Sequence, residues 1–171
     1  KQQSDDKPAA ACAPAGKNKT LICFSDNLDR AIATFILANG AAATGSKVSI
    51  FFTFWGLNVI KKKHGPAVKK TLTEKMFAHM LPKSSDSLAL SKMNMMGMGS
   101  KMIRGIMKKK NIDSLESLIR QAMDNGVEFI ACQMTMDMMG IKKEELLDGV
   151  TVGGVASYMQ KAEEAGVNLF I

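Results

Sequence analysis

The sequence predicts an α/β fold: a three-layer α/β/α sandwich with a mainly parallel five-stranded sheet and a helical, methionine-rich insertion. Three observations carry this. Short apolar or β-branched runs alternate with segments whose apolar residues recur at helical spacing, the pattern of strand–helix–strand units. Turn residues such as Asp26-Asn27, His64-Gly65-Pro66 and Asn125-Gly126 separate them. The 171 residues, 46% of them hydrophobic, suffice for one domain with a substantial core.

Residues 1–19 are rich in Ala, Pro, Gly, Lys and Asp without periodicity, and read as a disordered tail or interdomain linker before a domain spanning 20–171. With no initiating Met, the first residue need not be the true start, and Cys12 in this tail is read as incidental. The start does not have the pattern of a signal peptide. Order begins with the strand-like run Thr20 to Ser25, in which Cys23 reads as a small core hydrophobe. Asp26-Asn27 supplies a turn and N-cap for a helix carrying Ala31, Ile32, Phe35, Ile36 and Ala38, closed by Gly45.

Lys47 to Thr53 is the second strand, followed by Phe54-Trp55-Gly56 and a short helix over Leu57 to Lys63. Residues 66–110 interrupt the rhythm. Thr71 to Met80 looks helical, Leu81-Pro82 breaks it, and Lys92 to Met107 is dense in methionine. Three readings of that run stand open: a flexible apolar lid or oligomer surface, a soft-metal site, and an amphipathic membrane-surface helix. Glycines interrupt it and it contains no His, which speaks against metal.

Asp113 reads as the N-cap of a helix with Leu115, Leu118, Ile119 and Ala122 on one face, ended by Asn125-Gly126. Val127 to Ala131 is then a buried strand ending on Cys132. Val150 to Val152, a helix over Val155 to Ala165 and a last strand over Val167 to Ile171 complete the sheet. Gly153-Gly154 allows close backbone packing between them.

Several functions lack their parts. There is no GxGxxG and no GxxxxGK[ST] for a nucleotide. His64 and His79 have no matching acidic ligands, so no metal and no cofactor is expected. Three cysteines without a CxxC pair argue against a disulfide framework and, with no apolar run long enough to cross a bilayer, for a reducing cytoplasm. The net charge of +7 comes from lysine clusters at 61–63, 69–70 and 108–110. One Trp and one Tyr give nothing to interleave with them, so nucleic acid is not the expected partner. A basic face for an acidic protein or an anionic small molecule fits better.

Cys132 is the candidate reactive atom. In a parallel sheet, reactive groups gather where strands end and helices begin. A thiol there faces unpaired backbone N–H groups and a positive helix end, both favouring thiolate. Ser25, Thr53-Phe54-Trp55 and Cys132 should share one rim. No partner base can be assigned, which suits sulfur transfer better than hydrolysis: Cys132 would carry a persulfide. Ser25, Asn27, Gln133 and Thr135 would line the substrate pocket, and Trp55 would form an apolar wall. The rival reading is a non-catalytic protein- or membrane-binding module using the methionine-rich insertion.

Ala131-Cys-Gln-Met-Thr-Met-Asp-Met-Met-Gly140, with Phe54-Trp55-Gly56, the Met-Gly-rich insertion and the opening Ser25-Asp-Asn-Leu-Asp29, resembles the DsrE/DsrF/DsrH-like family, in particular its larger DsrE-like sulfur-relay subgroup. The resemblance runs from about Lys19 to Ile171. It implies a three-layer α/β fold, homo-oligomers, and a cysteine that accepts and passes on sulfane sulfur, a role that maps onto Cys132. It implies TusA-like carriers or rhodanese-type donors as partners.

Overall fold

The computed structural model describes residues 18–65, 68, 71, 76 and 81–171. The expected tail through residue 17, Cys12, and most of the expected helix over 71–80 lie outside the described residues.

Strands β1 (Asn18–Cys23), β2 (Val48–Phe52), β3 (Glu128–Cys132), β4 (Thr151–Gly153) and β5 (Ala165–Phe170) form one sheet in the order β4-β3-β2-β1-β5, every pairing parallel. The helices are α1 (Leu28–Ala43), α2 (Met98–Lys109), α3 (Leu115–Asp124), α4 (Gln133–Met139) and α5 (Val155–Glu163). From β1 to β4 the chain steps steadily toward one edge, so right-handed crossovers put α1, α3 and α4 on the same face. Leu28, Phe35, Leu118, Ile119, Met136 and the inward residues of the strands build the main core there. The last crossover runs backward, from β4 to β5 at the opposite edge. The same handedness then forces α5 onto the other face, where it lies without a companion helix among the described residues.

That second face is thin. Tyr158 is the only buried residue of α5, packed with Phe51, Ile130 and Cys132. Its hydroxyl lies 3.2 Å from Thr20 Oγ1, which also bonds Asn168. Farther along, Lys161 pairs with Glu128 at 2.9 Å and Ser49 donates to the same carboxylate at 2.8 Å. Burial pushes the Glu128 carboxyl up, but these two partners outweigh it and hold it below the usual range.

Several local expectations shift. The segment after β2 is a 3-10 helix, Phe54–Ile60, rather than a helix over Leu57 to Lys63. Its entry is set by Phe54 at φ 47 and by Gly56, where a Cβ would lie 2.0 Å from the carbonyl oxygen of Cys23. Ser114, not Asp113, caps α3, accepting from the Ser117 N–H at 3.2 Å. Asp113 instead accepts from the Ser117 hydroxyl and the Gln121 amide. Asn27 holds the cap position of α1 without a side-chain capping bond, because its Oδ1 accepts from the Ser25 hydroxyl at 2.7 Å.

Candidate functional site

Alternation along β3 decides where Cys132 looks. Phe129 and Ala131 enter the main core, so Ile130 and Cys132 point to the opposite face. Cys132 occupies the N-cap position of α4 but makes no side-chain capping bond. The thiol is therefore not turned over the helix N–H groups as its place in the sequence suggested. It packs beneath α5 against Phe51, Ile130 and Tyr158, only 1% exposed. Gly153 lets β4 and α5 close tightly over the same region, since a Cβ there would come within 2.9 Å of Ile130 and 3.0 Å of the Ser157 hydroxyl.

The carboxyl ends of the strands do form one rim. Thr135, on the first turn of α4, is fully buried; its Oγ1 lies 3.0 Å from Thr53 Oγ1 and accepts from the Phe54 N–H at 3.4 Å. Its hydroxyl ties the cysteine-bearing turn to the end of β2 rather than lining a pocket. Phe54 pays for that geometry with a left-handed backbone, uncommon for a bulky residue and of the kind that gathers at functional sites. Trp55 is turned outward, 42% exposed. Gln133 is exposed and donates to Asp137 at 2.9 Å, one helical turn on. Met134 and Met138 are exposed on the same short helix.

Ser25 and Asn27 belong to a separate knot at the end of β1. The Asn27 N–H donates to Ser25 Oγ at 3.2 Å, and both side chains are occupied with each other. Asp26 reaches toward the neighbouring 3-10 helix, accepting from Asn58 Nδ2 at 3.0 Å, while the buried Oδ1 of Asn58 has no partner. The structure thus ties Thr135 to Thr53 beside the turn that follows Cys132, turns Trp55 outward, and leaves Ser25 and Asn27 on the far side of β2.

Cys23 ends β1 on the opposite face from Cys132. Burial pushes its thiol up to about 12, with a Thr34 hydrogen bond pulling the other way. Two strand spacings, roughly 9.6 Å, separate β1 from β3, too far for a disulfide between the two cysteines. No group of His, Cys, Asp or Glu among the described residues could hold a metal ion. A cavity of about 500 Å³ lined by Lys61, Asp86, Glu116, Arg120 and Leu147 includes no residue of the rim. Tyr158, the cover of the thiol, was missed in the sequence reading; its signal was being the single tyrosine, in the helix after Gly153-Gly154.

A parallel three-layer sheet with a cysteine closing a central strand is thus the class of protein this is. The pattern of the DsrE/DsrF/DrsH-like family matches residues 15–170, and the chain belongs to that family. It is 50% identical to the YrkE protein of Bacillus subtilis over 155 residues, 91% of this chain and 97% of that protein. It is 37% identical to the sulfur carrier protein DsrE2 of Allochromatium vinosum over 156 residues, 91% of this chain and 98% of that one. Among solved structures it is similar to MTH1491 of Methanobacterium thermoautotrophicum, with a TM-score of 0.53 at 14% identity, covering 90% of this chain and 98% of that one. The YchN protein of E. coli gives a TM-score of 0.50 at 10% identity with the same coverage. At such identities these two likenesses speak for the fold alone.

Proposed function

We propose that the chain is a sulfur carrier in which Cys132 alternates between thiol and persulfide. The observation that carries this is the position of Cys132 at the end of a central strand, covered by a helix with a single buried anchor. A sulfane sulfur held there is shielded from stray oxidants, and a small displacement of α5 uncovers it. The name of the Allochromatium relative, a sulfur carrier, supports the same reading.

In the loading step the Cys132 thiolate attacks the outer sulfur of a donor persulfide, R–S–SH. The donor S–S bond breaks, a new S–S bond forms on Cys132, and the donor leaves as R–S⁻. No external oxidant or reductant enters. A rhodanese-type protein is the proposed donor and a TusA-like carrier the proposed exchange partner, in a reducing cytoplasm where thiols persist. Exposed Val155, Met159 and Phe170 on α5 and β5 support a homo-oligomer built on the thin face.

Incubation with a low-molecular-weight persulfide, followed by tryptic mass spectrometry, tests the carrier role. One added sulfur on the Cys132 peptide, lost in Cys132→Ser while the Cys23 peptide stays unmodified, is the expected result. No adduct at Cys132 overturns the proposal.

A further inference from the structure

The stretch 87–112 carries six cations (Lys92, Lys101, Arg104 and Lys108 to Lys110) and no Asp or Glu. Within it, α2 buries only Gly99 and Ser100. Met98, Met102 and Ile106, each one turn from the next, are 63%, 54% and 42% exposed. Lys101, Lys108 and Lys109 are exposed as well: Lys109 continues that stripe, and Lys101 and Lys108 border it on one side. Arg104, on the same row between Lys101 and Lys108, reaches back to the protein, donating to the Ser85 carbonyl at 2.8 Å and pairing with Glu116 at 3.4 Å. It fixes the roll of α2 so that the apolar stripe faces away from the protein.

The turn leading into α2 makes an independent point. Met93, Met95 and Met96 have φ of 58, 41 and 56, the left-handed region disfavoured for side chains of this kind. The turn is nonetheless well tied. The Asn94 carbonyl accepts from the Gly97 and Gly99 N–H groups at 2.8 and 3.1 Å, and its side-chain oxygen accepts from the Leu90 N–H at 3.3 Å. Gly99 permits the close approach, since a Cβ there would stand 2.0 Å from the Met93 carbonyl oxygen. This strained and well-bonded backbone buries none of the three side chains: Met93 and Met95 are largely exposed and Met96 fully so. Strain of this kind persists at sites that serve something other than the fold itself.

We propose that the 93–96 turn and the outer side of α2 form a docking face for an anionic lipid surface, with α2 lying in its plane. The methionine and isoleucine stripe enters the boundary between headgroups and acyl chains, and the lysines beside it extend to the phosphates. An apolar stripe or a basic patch alone gives weak and reversible binding; here both occupy one face. The uninterrupted positive charge matches a surface of uniform negative charge, and unbranched methionine side chains adapt to a fluid one. The proposal is independent of the chemistry at Cys132.

The test is co-sedimentation of the full chain with vesicles of phosphatidylcholine alone and of phosphatidylcholine mixed with phosphatidylserine. Binding to the mixed vesicles only, weakening with added salt, is expected. Lys108→Gln/Lys109→Gln/Lys110→Gln should weaken it about 100-fold. Met96→Gln/Met98→Gln/Met102→Gln, all at exposed positions, should abolish it without loss of fold. No binding to the mixed vesicles, or binding that survives both variants, overturns the proposal. A chain that ignores vesicles but self-associates, and becomes monomeric in the methionine variant, overturns it in favour of a second copy on this face.

Discussion

Cys23 and Cys132 end two strands of the same sheet, and each is 1% exposed. They are nonetheless differently placed. Cys23 faces the main core, under α1 and beside the 3-10 helix, with Gly56 pressed against its backbone. Cys132 faces the thin side, beneath a helix held by one aromatic residue. Equal burial in a static structure therefore hides unequal access. What a thiol can do depends on the stability of what covers it, and local opening costs far less where few apolar contacts must be broken.

Four measurements would break or sharpen this contrast. The largest effect is expected from Gly56→Ala, whose methyl would collide with the Cys23 carbonyl. We expect a loss of more than about 4 kcal/mol in denaturant unfolding, because backbone must move. A loss below about 1 kcal/mol would show that the Cys23 side is softer than described.

Next is alkaline stability. The Cys23 thiol is raised from its ordinary value of 9.0 to about 12 by burial. Below pH 9 both folded and unfolded chains keep this proton; above it only the unfolded chain releases it. Stability should fall by roughly 4 kcal/mol as pH rises from 9 to 12, and this part of the slope should vanish in Cys23→Ala. An unchanged slope in the variant would place the alkaline sensitivity elsewhere.

Thr135→Val should cost about 2 kcal/mol by leaving Thr53 and the Phe54 N–H without their partner, while Thr135→Ser retains most of the stability. Equal behaviour of the two variants would deny the tie between β2 and α4. The smallest change, Tyr158→Phe, removes the bond to Thr20 for about 1 kcal/mol. If α5 opens as a unit, iodoacetamide labelling of Cys132 in the native protein should quicken about fivefold, with Cys23 unlabelled throughout. Labelling of Cys132 at an unaltered rate would mean that access runs by a route other than past Tyr158.

Much of this was legible in the chain. The alternation of apolar runs with helical periodicity announced a parallel α/β sheet, and Asn125-Gly126 with the run to Ala131 located the strand that Cys132 closes. Periodicity within a segment states that residues alternate, but not which set meets the core. The direction of the Cys132 side chain is set by β3's register with β2 and β4, which comes from partners distant in sequence. Thr135 illustrates the same gap: a hydroxyl after a strand looks like a ligand donor until tertiary structure supplies Thr53 opposite it. The 3-10 helix at Phe54 escaped because its left-handed start is imposed by packing rather than by residue preference.

The pairing of β5 with β1 has a consequence for synthesis. The strand made last among those described lies beside the one made first, with Leu169 opposite Leu21 and Phe170 opposite Ile22. On the ribosome, β1 must wait with one edge bare while everything between them emerges. The other strands can assemble in the order they appear, but the sheet gains its fifth member only after every segment between β1 and β5 has emerged. During that interval the nascent chain offers an open strand edge to its surroundings, the condition under which neighbouring copies mispair and holding chaperones bind.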